Sequence, residues 1–218
     1  MNTDPMPVEV PAQPARRCAG RPRAADVEAR MLELLQTAAA LFLEHGYGKV
    51  SLEMIAREAR VAIRTIYVKF GGKAGLVGAM IEAKRDSFLV GKTLLTDPRP
   101  VCAALGDFSR QLHMLLSLPE TQALRRMIVA EGKDNPELVD SFYRAGPGIT
   151  FELLRGYFDR ADVRAQLRDD LPFDQLPVFF TNCVVGDTLA RSLDRPATDA
   201  SEAAMDARMA LFFRAVLK

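Results

Sequence analysis

The 218-residue sequence predicts an all-α protein, an N-terminal three-helix unit of the helix-turn-helix kind followed by a larger helical domain. Three observations predict it. Apolar residues recur at spacings of three and four nearly throughout, and no stretch alternates convincingly as a strand would. Three short helical patterns fall within about fifty residues near the start, and the last two are joined by a tight turn. Charge is uneven: Arg16 to Lys73 holds eleven basic and six acidic residues, an excess of five, while the whole chain is only +1, leaving −4 for the rest. A basic first third on a slightly acidic remainder suggests a polyanion-binding module joined to a different kind of domain. The hydrophobic fraction, 49%, is enough for ordinary globular cores.

Residues 1–22 are rich in Pro, Ala and Arg and lack periodicity, so they read as a disordered arm with a basic end, Arg16-Arg17-Cys18-Ala19-Gly20-Arg21-Pro22-Arg23. The first helix is expected over residues 25–45, with Val27, Met31, Leu34, Leu35, Ala38 and Phe42 on one face. Gly46 stands just past its end, where a left-handed cap favours glycine. A second helix is expected over 52–59. Ser51 can cap it by accepting from a free N–H of the first turn, and Leu52, Ile55, Ala56 and Ala59 form its inner stripe. After a break at Arg60-Val61-Ala62, a third helix over 63–70 turns Ile66 and Phe70 inward and stops at Gly71-Gly72. A fourth runs from Lys73 to about residue 93. Further helices are expected over 99–117 and 119–131, then a pair from 135 to about 160 broken at Gly146-Pro147-Gly148. A short turn at 163–168 and two long helices, 173–193 and 198–217, complete the chain. The division is an arm over 1–22, a helix-turn-helix domain over 23–72 and a larger domain over 73–218.

Several classes are excluded. Cys18, Cys102 and Cys183 are widely separated and odd in number, so they give neither a metal spacing nor a disulfide framework. That usage fits a reducing, cytoplasmic compartment. The N-terminus has no signal-peptide pattern, and no run approaches a membrane span. The two histidines, His45 and His113, stand in no metal cluster and near no nucleophile motif. Gly71-Gly72-Lys73 lacks the spacing and following hydroxyl of a phosphate loop. No catalytic residue, metal or cofactor is expected.

The third helix carries the chemistry. With Ile66 and Phe70 in the core, Arg64, Thr65 and Lys69 point outward and Tyr67 lies at the edge. Arg, Thr, Tyr and Lys on one face offer base-edge donors and phosphate contacts together. Arg21 and Arg23 in the arm suit a neighbouring minor groove or its phosphates, with a merely solubilising tail as the alternative.

The stretch from Ser51 to Lys73 resembles the N-terminal domain of the TetR/AcrR regulators. The diagnostic pieces are Ile55-Ala56, Ala59-x-Val61 and Thr65-Ile66-Tyr67-x-x-Phe70-x-x-Lys73, with Leu41-Phe42-x-x-x-Gly46-Tyr47 before them. The resemblance implies that Tyr67 and Lys73 grip the DNA backbone and that Ser51 donates to a phosphate. It also implies that Ile63, Arg64, Thr65 and Lys69 face the groove, with Arg64 the candidate for bidentate recognition of guanine. Three positions depart from the family: Arg60 replaces a frequent Gly, Ala62 replaces a capping Ser or Thr, and Gly71-Gly72 replaces a Pro-Ser-like pair. Arg60 is a candidate for a further phosphate contact, with a plain solvated arginine as the equal alternative.

Beyond residue 80, Met127-Ile128-Val129-Ala130-Glu131, Pro136-Glu137-Leu138 and Phe142-Tyr143-x-Ala145-Gly146-Pro147 resemble the AefR-like branch. That resemblance implies a domain that dimerises through its last two helices and holds a small-molecule effector. Phe179, Phe180, Val184, Met205, Met209 and Phe212 are the candidate dimer seam, with ordinary intrachain core as the alternative. Phe108, His113, Met114, Met127, Phe151, Tyr157 and Asn182 are candidate effector-pocket residues, with ordinary core as the alternative for each. The expected function is a homodimeric, operator-binding repressor released by a ligand. The alternative is an architectural DNA-binding protein without sequence preference.

Overall fold

The computed structural model describes residues 24–88, 91–186 and 201–218. Among the described residues every regular element is helical; Leu167 and Leu217 add one isolated antiparallel bridge. The first four helices are α1 (Ala24–His45), α2 (Leu52–Glu58), α3 (Ile63–Phe70) and α4 (Lys73–Ser87). They are followed by α5 (Val101–Ser117), α6 (Pro119–Glu131), α7 (Pro136–Ala145), α8 (Pro147–Phe158), α9 (Ala161–Arg164), α10 (Leu176–Val185) and α11 (Glu202–Val216). Proline opens α6, α7 and α8, where its missing N–H leaves no bond unmade. No described helix is long and apolar enough to cross a membrane.

Two hydrophobic clusters organise the chain. The first gathers Leu34, Ala38 and Phe42 of α1, Leu52 and Ile55 of α2, Ile66 of α3, and Leu76 and Val77 of α4. Val27, expected on the inner face of α1, is exposed, because the first turns of that long helix run past the core. Met127, Ile128 and Leu138 join this cluster from α6 and α7, so the apolar core of the helix-turn-helix unit continues beyond residue 72. The second cluster is built from α5, α8, α10 and α11. Its centre is a chain of rings, Phe108 stacked on Phe180 at 5.7 Å and Phe180 edge-on to Phe212 at 5.6 Å.

Helix α4 stops earlier than its apolar pattern suggests. It ends at Ser87, and a 3-10 turn, Leu94–Thr96, follows Gly91, whose φ of +71° leaves the helix. Helix α10 likewise starts at Leu176 rather than residue 173, because Pro177 sits in its first turn, where proline is tolerated. It also ends at Val185, where Gly186 takes φ +66°, short of the expected residue 193, and the last helix starts at Glu202 behind the N-cap Ser201 rather than at 198.

Helices α4 and α7 pack very closely. The Ser141 hydroxyl donates to the Ala74 carbonyl at 2.6 Å, and Arg85 donates to the Ala145 carbonyl at 2.8 Å. A Cβ on Gly78 would stand 2.7 Å from Ser141 Oγ, so only glycine admits this approach. Gly75 does the same at the α3–α4 corner, where a Cβ would fall 1.7 Å from the Phe70 carbonyl oxygen. Gly75→Ala is therefore predicted to destabilise the protein by about 1–3 kcal/mol through overpacking. Thermal or urea unfolding of the variant against the parent chain measures it.

Candidate nucleic-acid interface

The helix-turn-helix is set by its caps. Ser51 caps α2, accepting from the Met54 N–H at 3.2 Å. The Glu53 backbone N–H, and after it the Ser51 hydroxyl, hold the Glu53 carboxyl below the usual carboxylate range. The hydroxyl expected to reach a phosphate is thus engaged in capping α2.

The turn after α2 is a Schellman motif. Arg60 N–H donates to the Arg57 carbonyl at 3.3 Å, and Val61 N–H donates to the Ala56 carbonyl at 2.9 Å. This geometry puts Arg60 at φ +53°, the one non-glycine residue at positive φ among those described. Glycine is preferred there because a Cβ crowds the following carbonyl, so this arginine is held at a cost. Helix α3 then starts at Ala62 without a side-chain cap, as its methyl dictates. Its far end needs both glycines, Gly71 at φ +75° and Gly72 at φ +142°.

Within α3, Ile66 is fully buried and Phe70 half-buried, as the inward stripe requires, while Ile63, expected to face the groove, is also half-buried. Arg64, Tyr67 and Lys69 are exposed and Thr65 is half-buried. Val68, passed over in the sequence reading, is 74% exposed and lies roughly opposite the buried stripe. Counting 100° steps from Ile66 was the signal that could have found it. An apolar side chain at the centre of a polar face suits contact with a thymine methyl. Ile63, by contrast, lies between the buried stripe and the open face.

Lys73 does not project freely. Its ammonium donates to the carbonyls of Tyr47 at 2.7 Å and Val50 at 2.9 Å and sits 4.4 Å from the centre of the Tyr47 ring. Burial lowers its pKa, and the nearby carboxylates Glu131 and Glu137 oppose that shift. Burial, with the same two acids, pushes the Tyr47 hydroxyl up to about 12. Lys73 therefore fastens the start of α4 to the α1–α2 connection, and one of its three N–H donors is left for a phosphate. Arg21 and Arg23 lie outside the described residues.

The expected dimer seam is mostly interior to one chain. Phe180, Val184, Met205, Met209 and Phe212 are buried among α5, α8, α10 and α11. The outer faces of α10 and α11 instead expose Val178, Phe179 and Leu211. The seven expected pocket residues do not converge. Phe108 and Tyr157 are core; Met127 belongs to the other cluster; Met114 and Asn182 are exposed, turned about 100° or more from their buried neighbours. Phe151 lines an open groove of about 720 Å3 with Tyr143 and Val178. His113 is nearly buried, with Nδ1 unpartnered and Nε2 3.4 Å from the Ser117 hydroxyl. The Tyr157 hydroxyl is also buried without a partner, and burial pushes its pKa up to about 12.

An outward polar helix on a capped helix-turn-helix unit, joined to a separate helical core, defines a helix-turn-helix DNA-binding protein. Comparison with known proteins specifies the family. Residues 34–80 match the bacterial regulatory proteins of the tetR family, and residues 103–215 match the C-terminal domain of AefR-like transcriptional repressors. The chain belongs to the TetR family of transcriptional regulators, which are not enzymes. It is 26% identical to an HTH-type transcriptional regulator of Mycobacterium tuberculosis over 159 residues, 68% of this chain and 72% of that protein. The solved structure of the flavonoid-responsive regulator FrrA is 27% identical with a TM-score of 0.64, over 87% of this chain and 98% of that one. That of NalD, the secondary repressor of the MexAB-OprM multidrug efflux pump in Pseudomonas aeruginosa, shares the fold at 23% identity and a TM-score of 0.63, over 89% and 98%.

Replacing the strained cap residue separates its two effects. Arg60→Gly is predicted to stabilise the fold by about 1 kcal/mol by removing the left-handed penalty. If the guanidinium meets a phosphate, the same change weakens DNA binding and flattens its salt dependence by about one ion. Unfolding curves and a salt titration of DNA affinity read the two effects separately.

Proposed function

We propose that this regulator is a homodimeric repressor that reads an operator with α3 and leaves it when a small, largely apolar molecule binds the regulatory domain. The observation that carries the first half is the orientation of α3. Burial of Ile66 turns Arg64, Val68 and Lys69 toward solvent, free to meet base edges in a major groove, with the half-buried Thr65 at the margin of that face. Tyr67 and the remaining Lys73 N–H are assigned to the DNA backbone, and Arg60 to a flanking phosphate.

Dimerisation is supported by the uncovered Val178, Phe179 and Leu211 on α10 and α11, within the stretch that matches the AefR-like C-terminal domain. Two copies related by a two-fold axis would set their α3 helices about one DNA turn apart. Effector release is supported by FrrA, which is flavonoid-responsive. It is also supported by the unpartnered His113 Nδ1, a polar handle inside the regulatory domain. Release requires the ligand to prefer the arrangement of subunits that does not fit the operator.

Selection of random duplexes on the purified protein tests the reading, and an enriched two-fold symmetric motif is expected. Arg64→Ala is then predicted to relax preference at one base pair in each half-site, losing about 1–3 kcal/mol of discrimination there. Binding that stays equal for selected and random DNA at matched salt would exclude operator recognition.

A further inference from the structure

Helix α1 carries more apolar surface than the helix-turn-helix core uses. Leu34, Ala38 and Phe42 are buried in that core. A second row, Leu32, Ala39 and Leu43, recurs at helical spacing on another side, and its two leucines stay 51% and 41% exposed. This row is one wall of a groove completed by Met80 of α4 and Leu124 of α6. The groove holds about 430 Å3, within the range of small-molecule sites. It lies on the seam between the DNA-binding unit and the regulatory domain, outside the cluster of α5, α8, α10 and α11.

One cation in the lining already holds a carboxylate. Lys84 Nζ donates to Glu120 Oε1 at 2.7 Å, and both residues line the groove. Glu120 stands in the first turn of α6, where the helix dipole favours negative charge. Its own backbone N–H joins Lys84 in holding its carboxyl below the usual range. Both side chains are partly exposed, 39% for Lys84 and 51% for Glu120, so a carboxylate from solution can approach the Lys84 ammonium.

We infer that the groove binds a small amphipathic acid, its apolar body against Leu32, Leu43, Met80 and Leu124 and its carboxylate replacing Glu120 on Lys84. Because its walls come from α1, α4 and α6, a ligand that fits one relative setting of these helices better than another changes operator affinity. The site is separate from the regulatory-domain effector of the proposed function and does not depend on it.

Calorimetric titration of the full chain with octanoate, and with octanol as the uncharged counterpart, tests the site. Lys84→Gln should weaken octanoate binding roughly three- to tenfold and leave octanol unchanged. Glu120→Gln should tighten octanoate, because it removes the resident competitor. Ala39→Phe should fill the groove and abolish both; if that variant unfolds, the two charge variants decide. The inference is overturned by absent octanoate binding, by binding that none of the variants alters, or by the two charge variants shifting affinity in the same direction. Each of these outcomes leaves operator recognition by α3 intact.

Discussion

Helix α4 is the constraint on which the rest of the molecule depends, because it is held on two sides at once. Its start is bolted to the DNA-binding unit by Lys73 on the Tyr47 and Val50 carbonyls and by the glycine contact at Phe70. Leu76 and Val77 continue that attachment into the core around Ile66. Another side of the same helix is clasped to α7 through Gly78, Ser141 and the Arg85 bond to Ala145. Contacts this close leave little room for sliding, since interiors pack near crystal density. A rearrangement of α7 must therefore move α4, and with it the base of α3.

The DNA-facing surface combines local conveniences and local costs. Ser51 gives α2 a strong cap, whereas α3 begins on a methyl group and follows an arginine in a left-handed conformation. The recognition helix is thus held less by its ends than by burial of Ile66 and by its junction with α4. That arrangement lets its exposed face carry residues chosen for the ligand rather than for helix stability, Val68 among them.

Much of this was legible in the amino-acid pattern. Proline at the starts of α6, α7 and α8, Ser51 before α2 and Gly71-Gly72 after α3 are local signals whose physics acts within one turn, and those boundaries were expected within a residue or two. The all-α class and the inward Ile66 followed from spacing alone. What was not legible depends on distant partners. Phe180 and Phe212 read equally well as a seam between subunits or as protomer core, and only packing against Phe108 decides between them. Lys73 reads as a free cation until the α1–α2 carbonyls fold back to meet it. Met127 lies far from the helix-turn-helix in sequence, so nothing local assigns it to that core. Helix α4 ends at Ser87 with no glycine or proline beside it, so no local signal marks the stop.

The central claim is that the solvent face of α3 lies in the major groove. Dimethyl sulfate protection on a selected operator tests it most directly, because the reagent marks guanine N7 in the major groove and adenine N3 in the minor groove. The account predicts guanine N7 protection in two patches about one helical turn, or slightly more, apart. Protection confined to adenine N3, or none at guanine, would contradict it.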